Sequence, residues 1–459
     1  MDSNLKISNI TSEKILNLLF FFFPFCFIFG NLLININIVL FCCIGIFNLK
    51  KNNLKIKLNL PLKIFFLFFF AVFFSTILSF IKSIYFSTYE HYDLVKLLKS
   101  IGFFRFYLLL LLIFILNKYN VLNFKYFFIS SALFSIILSL DIIFQYYVGF
   151  DLVGFKSFGA YNSGFFGDEL VAGSFITKFS IFSIFLISFI FKNKKILKFT
   201  FIMMAACILG LGTLLSGNRM PVILFLFGLF LILFFKNNIK KTILLSVIPL
   251  SIVFSFVSSF DRDVEMQFLR FHGNSKIILT KLWNSTINKD SQIINQKEST
   301  PNQKYEGFPQ NFSSRHSGST HNPMFKAAMD VWKKNKILGN GIKSFRQDCW
   351  KLEGPDVNLG DDILPNKRNR LCSNHPHNYY LEILTETGVV GMVLILIVAL
   401  MFVGFVLKNF RFAGQITFAN FILLSALISL ILETLPLKST GSLFSTNNAA
   451  YLIIIASIL

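Results

Sequence analysis

Hydrophobic runs of about 20 residues recur along this whole chain, and about 20 apolar residues in helical form cross the hydrocarbon core of a bilayer. About twelve runs qualify, near residues 15–32, 33–49, 62–80, 98–117, 127–148, 171–191, 196–215, 220–235, 242–260, 384–407, 413–433 and 443–459. The second, eighth and last are short, which makes eleven the lower count. Within lipid every backbone N–H and C=O has to be satisfied inside its own helix or in a closed barrel. Runs this long and apolar therefore imply an all-α polytopic membrane protein. Residues 1–260 hold spans one to nine, 261–378 form one large, mainly helical loop, and 379–459 hold the last three spans.

Loop charges orient the chain. Lys50, Lys51, Lys55, Lys57 and Lys63 separate spans two and three, and Lys118 and Lys125 follow span four. Lys192, Lys194, Lys195 and Lys198 follow span six, Lys236, Lys240 and Lys241 follow span eight, and Lys408 and Arg411 follow span ten. Basic loops stay cytoplasmic, so both termini are expected there. The alternate loops carry Glu90, Asp93, Asp151, Asp168 and Glu169, and the segment from Asp261 falls on their side, periplasmic or extracellular. The net charge of +21 is thus a topology signal. No basic stripe with interleaved aromatics marks a nucleic-acid surface, and nucleic acid is not expected as a partner. The 61 Phe read as compositional bias. The first run lacks a small-x-small cleavage site and reads as a span rather than a signal peptide.

Cys26, Cys42, Cys43 and Cys207 fall inside apolar runs and read as small apolar residues. Cys349 and Cys372 lie in the polar loop, and an oxidising compartment would pair them. No C-x-x-C or H-E-x-x-H pattern suggests a metal site, and no cofactor is implied. Within the loop, Asn284 to Thr320 reads as poorly ordered. Met324, Ala327, Ala328, Val331 and Trp332 recur at helical spacing over Pro323–Asn335, and Leu338 to Ile342 supplies a turn.

The densest polar cluster is Ser373-Asn374-His375-Pro376-His377-Asn378-Tyr379-Tyr380-Leu381-Glu382, which runs on to Thr387-Gly388 and an unbroken apolar helix. Ser373 or Asn374 is the expected cap, with Pro376 in the first turn. Asn378, Glu382 and Thr385/Glu386 then share one face. A helix N-terminus suits phosphate and keeps a nearby imidazole neutral. Arg219 sits in the tight turn between spans seven and eight, where the positive-inside tendency disfavours an arginine, so it is a candidate for holding an anion. Arg105, near the outer end of span four, is explained equally well by a structural partner such as Asp141. Arg262, Arg270, Arg315, His316 and His321 follow along the loop, and Asp168 and Glu169 face the same side. Arginines above an apolar interior suit a diphosphate at the bilayer surface with its lipid tail below. A neutral histidine could take a proton from an attacking hydroxyl.

Cys372 to Glu382, followed by Glu386-Thr387-Gly388-Val389-Val390-Gly391, resembles the signature of the O-antigen ligase and polymerase family. Ala328-Met329-Asp330-Val331-Trp332 and Ile337 to Arg346 resemble its loop segment. Gly164 to Glu169, Gly217-Asn218-Arg219 and Pro436 to Ser442 resemble further family segments, and the likeness spans roughly residues 140 to 450. The resemblance implies a metal-independent, inverting glycosyltransferase of the bacterial inner membrane with its active site on the periplasmic face. Its donor would be a glycan on undecaprenyl diphosphate, with His377 as general base and Arg219 on the diphosphate. The family carries a second arginine shortly before the loop helix with its Trp. Here the aligned position is His321, with Arg315 nearby, so the implied diphosphate contacts are Arg219, Arg315, His321 and Arg270. His375, Asn378, Glu382 and Asp168 would support them. Lipid A–core as acceptor makes the enzyme a ligase, and a second lipid-linked glycan makes it a polymerase. The runs Lys343–Arg346 and His375–Glu382 favour ligase. A transporter of lipid-linked sugars would instead need ionisable residues and broken helices near the bilayer centre, where Asp141 is the one clear acidic candidate.

Overall fold

A computed structural model describes residues 2–51, 57–86, 91–234, 239–260, 321–352, 372–412, 418–436 and 438–459. Arg262, Arg270, Arg315 and His316, and the stretch 284–320, lie outside the described residues.

Nine helices form the first part of the bundle. They are α1 (Asp2–Phe29), α2 (Asn31–Lys51), α3 (Leu60–Tyr85), α4 (His91–Lys118), α5 (Lys125–Val148), α6 (Ala172–Ile190), α7 (Lys195–Leu215), α8 (Arg219–Phe234) and α9 (Lys240–Phe260). Two short loop helices follow, α10 (His321–Lys334) and α11 (Phe345–Asp348). The chain then returns through α12 (Tyr379–Phe412), α13 (Phe418–Glu433) and α14 (Thr446–Ile458). Among the described residues nine helices are long and apolar enough to cross a membrane, and α8, α13 and α14 are shorter apolar helices. No strand occurs among the described residues beyond isolated bridges at Phe150–Lys156 and Phe158–Tyr161. The chain is an all-α, multi-pass membrane protein.

The outer surface shows why water is the wrong solvent. Leu32 and Leu400 are each 72 % exposed, and many further Leu, Ile and Phe side chains along the helices join them. Apolar surface of that extent belongs against lipid tails. The interior of the first half is aromatic. Phe20 touches Phe23, Phe41, Phe124 and Phe127, and Phe127 in turn meets Phe179 and Phe182. Ring centroids 5.5 Å apart for Phe20–Phe127 lie within the range of tilted aromatic pairs. This seam joins α1, α2, α5 and α6.

Two neighbourhoods frame one end of the bundle. On one side α4 packs on α2, α3 and α14, while α8 packs on α6, α7, α9 and α13. Between them α12 packs on α3 and α13 and carries α10 on its first turns. The chain between α5 and α6 covers the α7–α8 turn, with Asn162 Nδ2 on Leu215 O at 2.6 Å and Asn218 Nδ2 on Leu170 O at 2.8 Å.

A candidate functional site at the start of helix α12

The helix begins later than the sequence suggests. Asn378 is its cap: Oδ1 accepts from Tyr380 N (3.0 Å) and Leu381 N (3.2 Å), and Nδ2 donates to Pro436 O (2.8 Å). Ser373 and Asn374 do not cap the helix, and Pro376 lies two residues before the cap rather than in the first turn. The Ser373 hydroxyl instead closes a local turn on His375 O. The physical reason is the backbone of His377, which sits at φ +53° and cannot extend a right-handed helix. Thr440 N donates to His377 O at 2.9 Å, so the α13–α14 connection holds this conformation.

Nor is α12 unbroken. Gly388 has φ 65° and ψ −164° inside it, a conformation open to glycine alone. The backbone groups freed by the break find partners in the segment after α10. Asn340 N and Gly341 N donate to Thr385 O and Glu386 O, both at 2.9 Å, and Val389 N and Val390 N donate to Lys336 O and Ile337 O at 2.9 and 3.2 Å. Ser75 Oγ adds a bond to Glu386 O, and Thr76 Oγ1 accepts from Ile342 N, each at 2.9 Å. A Cβ on Gly388 would collide with the Ile337 carbonyl. The Leu338–Ile342 turn therefore acts as a plug that completes a broken helix.

The first turns of α12 are pinned by buried acids. Glu382 accepts from Ser442 Oγ and Leu443 N, each at 2.6 Å, and lies 3.9 Å from Lys343 Nζ. Glu386 Oε2 accepts from Lys343 N at 2.6 Å. Deeper in the bundle Glu433 stands between two lysines, 2.6 Å from Lys438 Nζ and 3.5 Å from Lys178 Nζ, and takes the Tyr379 hydroxyl at 2.6 Å. Lys178 also donates to Asn448 Oδ1 at 3.0 Å and lies over the Tyr451 ring. These contacts join α6, α12, α13 and α14 under the histidine loop.

The two histidines face each other with ring centroids 4.1 Å apart. Burial, the neighbouring His377 and then Lys343 lower the His375 pKa from its ordinary 6.5 to about 4. His375 is therefore neutral at pH 7 and a weak base. Its Nε2 has no hydrogen-bond partner among the described residues, and neither has the buried Thr440 Oγ1 beside it. Cys349 and Cys372 are joined by a disulfide with Cα atoms 5.7 Å apart, which ties α11 to the start of the histidine loop. Around it Ala327, Ala328, Val331 and Phe345 form a small second core.

The other candidate residues sit on other elements. Arg219 is the first residue of α8, half-buried, and makes no hydrogen bond or ion pair among the described residues. Asp168 is exposed in the loop before α6. His321 starts α10. Arg105 does not pair with Asp141. It bonds Gly102 O at 2.6 Å and Thr446 Oγ1 at 3.3 Å, while Asp141 accepts from Leu152 N at 2.9 Å. Asp141 thus closes its own loop, as does Asp151, which accepts from Val153, Gly154 and Phe155 N. The charge pattern passes over Lys178 and Glu433, although an ionisable residue within an apolar run is itself the available signal. Among the described residues no three His, Cys, Asp or Glu side chains gather as metal ligands.

The O-antigen ligase family model matches residues 203–396, a stretch that contains Arg219, the α10–α11 loop, the histidine loop and the broken start of α12. No curated protein matches the chain. Over that stretch, which is less than half of the chain, the sequence is similar to the O-antigen ligase family.

Proposed function

We propose, for a membrane chain that carries an O-antigen ligase family segment, that it transfers a glycan from undecaprenyl diphosphate to a lipid A–core hydroxyl at the periplasmic face of the inner membrane. The observation that carries the reading is His377. It is held at φ +53° by a bond from Thr440, next to His375, whose pKa is lowered to about 4 by burial. Backbone strain kept in place by its surroundings is a mark of functional positions.

In this scheme a ring nitrogen of His377 accepts the proton of the acceptor hydroxyl. The oxygen attacks the anomeric carbon from the face opposite the diphosphate, the glycosidic C–O bond to phosphate breaks, and undecaprenyl diphosphate departs. Arg219, with its guanidinium unpaired among the described residues, would neutralise the charge that develops on the leaving oxygens. Arg315, Arg270 and His321 are further diphosphate contacts in this proposal. Asn378 and Glu382 set the helix start, and His375 and Asp168 complete the supporting set.

Transport is the second reading, because α12 is broken and Lys178 and Glu433 are buried. Their depth counts against it. Gly388 lies nine residues from the helix start, about 13 Å at ~1.5 Å per residue, and Glu433 is the last residue of α13. Both are near one end of the bundle, and protein rather than a passage fills the break.

The test is the lipopolysaccharide profile of a deletion strain carrying wild-type or His377→Ala protein. Loss of a general base lowers transfer by roughly 10²–10⁴-fold, so bare core with glycan left on the lipid carrier is the expected result. Core with a single repeat unit would assign a polymerase. A normal ladder would remove both.

A further inference from the structure

The connection between α5 and α6 carries exposed apolar side chains beyond the end of its span. Leu152 and Val153 are each 65 % exposed, Phe158 is 59 % exposed, and Phe150 is exposed with them. Scattered exposed apolar residues need no explanation, whereas a contiguous apolar patch on a fixed surface marks a contact.

This patch is fixed. Asp151 N donates to Phe155 O and Leu152 N to Asp141 Oδ1, both at 2.9 Å. The N–H groups of Val153, Gly154 and Phe155 all donate to Asp151 Oδ1, at 3.0, 2.7 and 2.6 Å. Buried Gln145 holds the base of the turn, with Nε2 on Phe155 O at 3.0 Å and Oε1 accepting from Gly164 N at 2.8 Å. A turn whose amides are satisfied by the protein can leave water at little cost, and one that relies on solvent cannot.

The covering partner follows from continuity. Leu133, Ile137, Leu140 and Phe144 form an exposed stripe on α5 at helical spacing, and such a stripe on a spanning helix lies against acyl chains. Phe150 packs edge-on against Phe144, with ring centroids 6.2 Å apart, so the turn extends that stripe. Tyr147, 75 % exposed between them, is a residue type favoured at the headgroup level. Exposed Lys156, paired with Phe150 across an antiparallel bridge, has the length to reach lipid phosphates from there. Asp151, the acid of the turn, is buried. We infer that the turn at residues 150–158 is a wedge seated in the lipid leaflet beside α5, at the level of the glycerol groups.

The wedge is tied to the α7–α8 turn that carries Arg219. Ser157 Oγ donates to Asn162 Oδ1 at 2.9 Å, and Asn162 Nδ2 to Leu215 O at 2.6 Å. A Cβ on Gly217 would strike the Ala160 carbonyl. The leaflet thereby sets the depth of Arg219 relative to the headgroups. Any use of that depth in binding a diphosphate rests on the transferase reading, whereas the seat in the leaflet does not.

The test places a tryptophan on the wedge and needs no transfer. Full-length wild type, Val153→Trp and Glu169→Trp are reconstituted in vesicles of phosphatidylcholine and phosphatidylglycerol, and the emission added over wild type is recorded. Glu169 is exposed in the same connection, outside the patch. Lipids brominated near the glycerol should remove most of the emission added by Val153→Trp. Bromine at the chain ends and acrylamide in the water should each remove little of it. Glu169→Trp should be quenched by acrylamide and spared by both brominated lipids. Leu152→Trp repeats the measurement if Val153→Trp fails to fold. Acrylamide quenching equal to that of Glu169→Trp would put the turn in water and overturn the inference. Shielding from acrylamide and from both brominated lipids would show a protein partner, a second copy included, and would overturn it equally.

Discussion

The helices α1 to α5 and the cluster at the start of α12 both bury polar groups, and they satisfy them in opposite ways. In the first region several buried hydroxyls bond within their own helix. Ser139 Oγ bonds Ser135 O and Ser100 Oγ bonds Leu97 O, both at 2.7 Å and within one turn of the same helix. Such hydroxyls cost lipid-embedded helices little and specify little. In the second region several partners lie on other segments, and two of these pairs are ionic. Lys178 meets Glu433, Lys343 meets Glu382, and Asn378 meets Pro436. A group that depends on another helix fixes where that helix sits, so this end of the bundle has a defined geometry while the aromatic half has dense packing.

Glu433→Gln tests the contrast most severely. It leaves Lys178 and Lys438 without their carboxylate, and removing one partner of a buried pair costs about 3–5 kcal/mol. The unfolding midpoint of the purified protein should fall accordingly, and adding Lys178→Met should recover part of the loss. A change below about 1 kcal/mol would mean that the lysines find other acceptors and that the two regions do not differ in kind.

Cys349→Ser comes next. The bridge closes a segment with sequence separation 23, and its loss should cost about 3 kcal/mol, visible as easier proteolysis of the α10–α11 segment. Unchanged proteolysis would show that the plug beneath Gly388 holds that segment alone.

Acid titration sharpens the comparison further. His375 has its pKa lowered to about 4 in the folded protein against an ordinary 6.5. Between those values the unfolded chain binds the proton and the folded chain does not, so stability falls as pH falls. The loss is ~2 kcal/mol from pH 6.5 to pH 5 and ends near pH 4. The slope of unfolding midpoint against pH should flatten in His375→Gln, and an identical slope would locate the titration elsewhere.

The smallest effect belongs to the aromatic half. Ser139→Ala removes one intrahelical bond and should change stability by no more than ~1 kcal/mol in the same unfolding experiment. A larger loss would mean that this hydroxyl holds α5 against α7 rather than merely its own helix.

Much of the site is legible in the sequence. His375, His377, Asn378 and Glu382 stand out as a polar run against an apolar background, and Cys349 and Cys372 as the two cysteines outside apolar runs. Met324 to Trp332 reads as the amphipathic helix that α10 contains. Local rules fail where the structure is nonlocal. Cap rules place Ser373 or Asn374 at the helix start because they assume a right-handed approach, and His377 does not make one. Asp141 reads as a structural partner for Arg105, yet its partner is the Leu152 N–H on its own connection.

By itself the sequence determined that this chain lives in a membrane, roughly how many times it crosses, and which residues could carry chemistry. Those properties are sums over neighbours along the chain: apolar length, loop charge, residue type. Only the tertiary structure decided that α12 breaks at Gly388 and is completed by residues 336–341, and that Lys178, Glu433 and Lys438 meet. Each of these depends on the approach of segments far apart in sequence, set by how whole helices pack, and no local pattern encodes that distance.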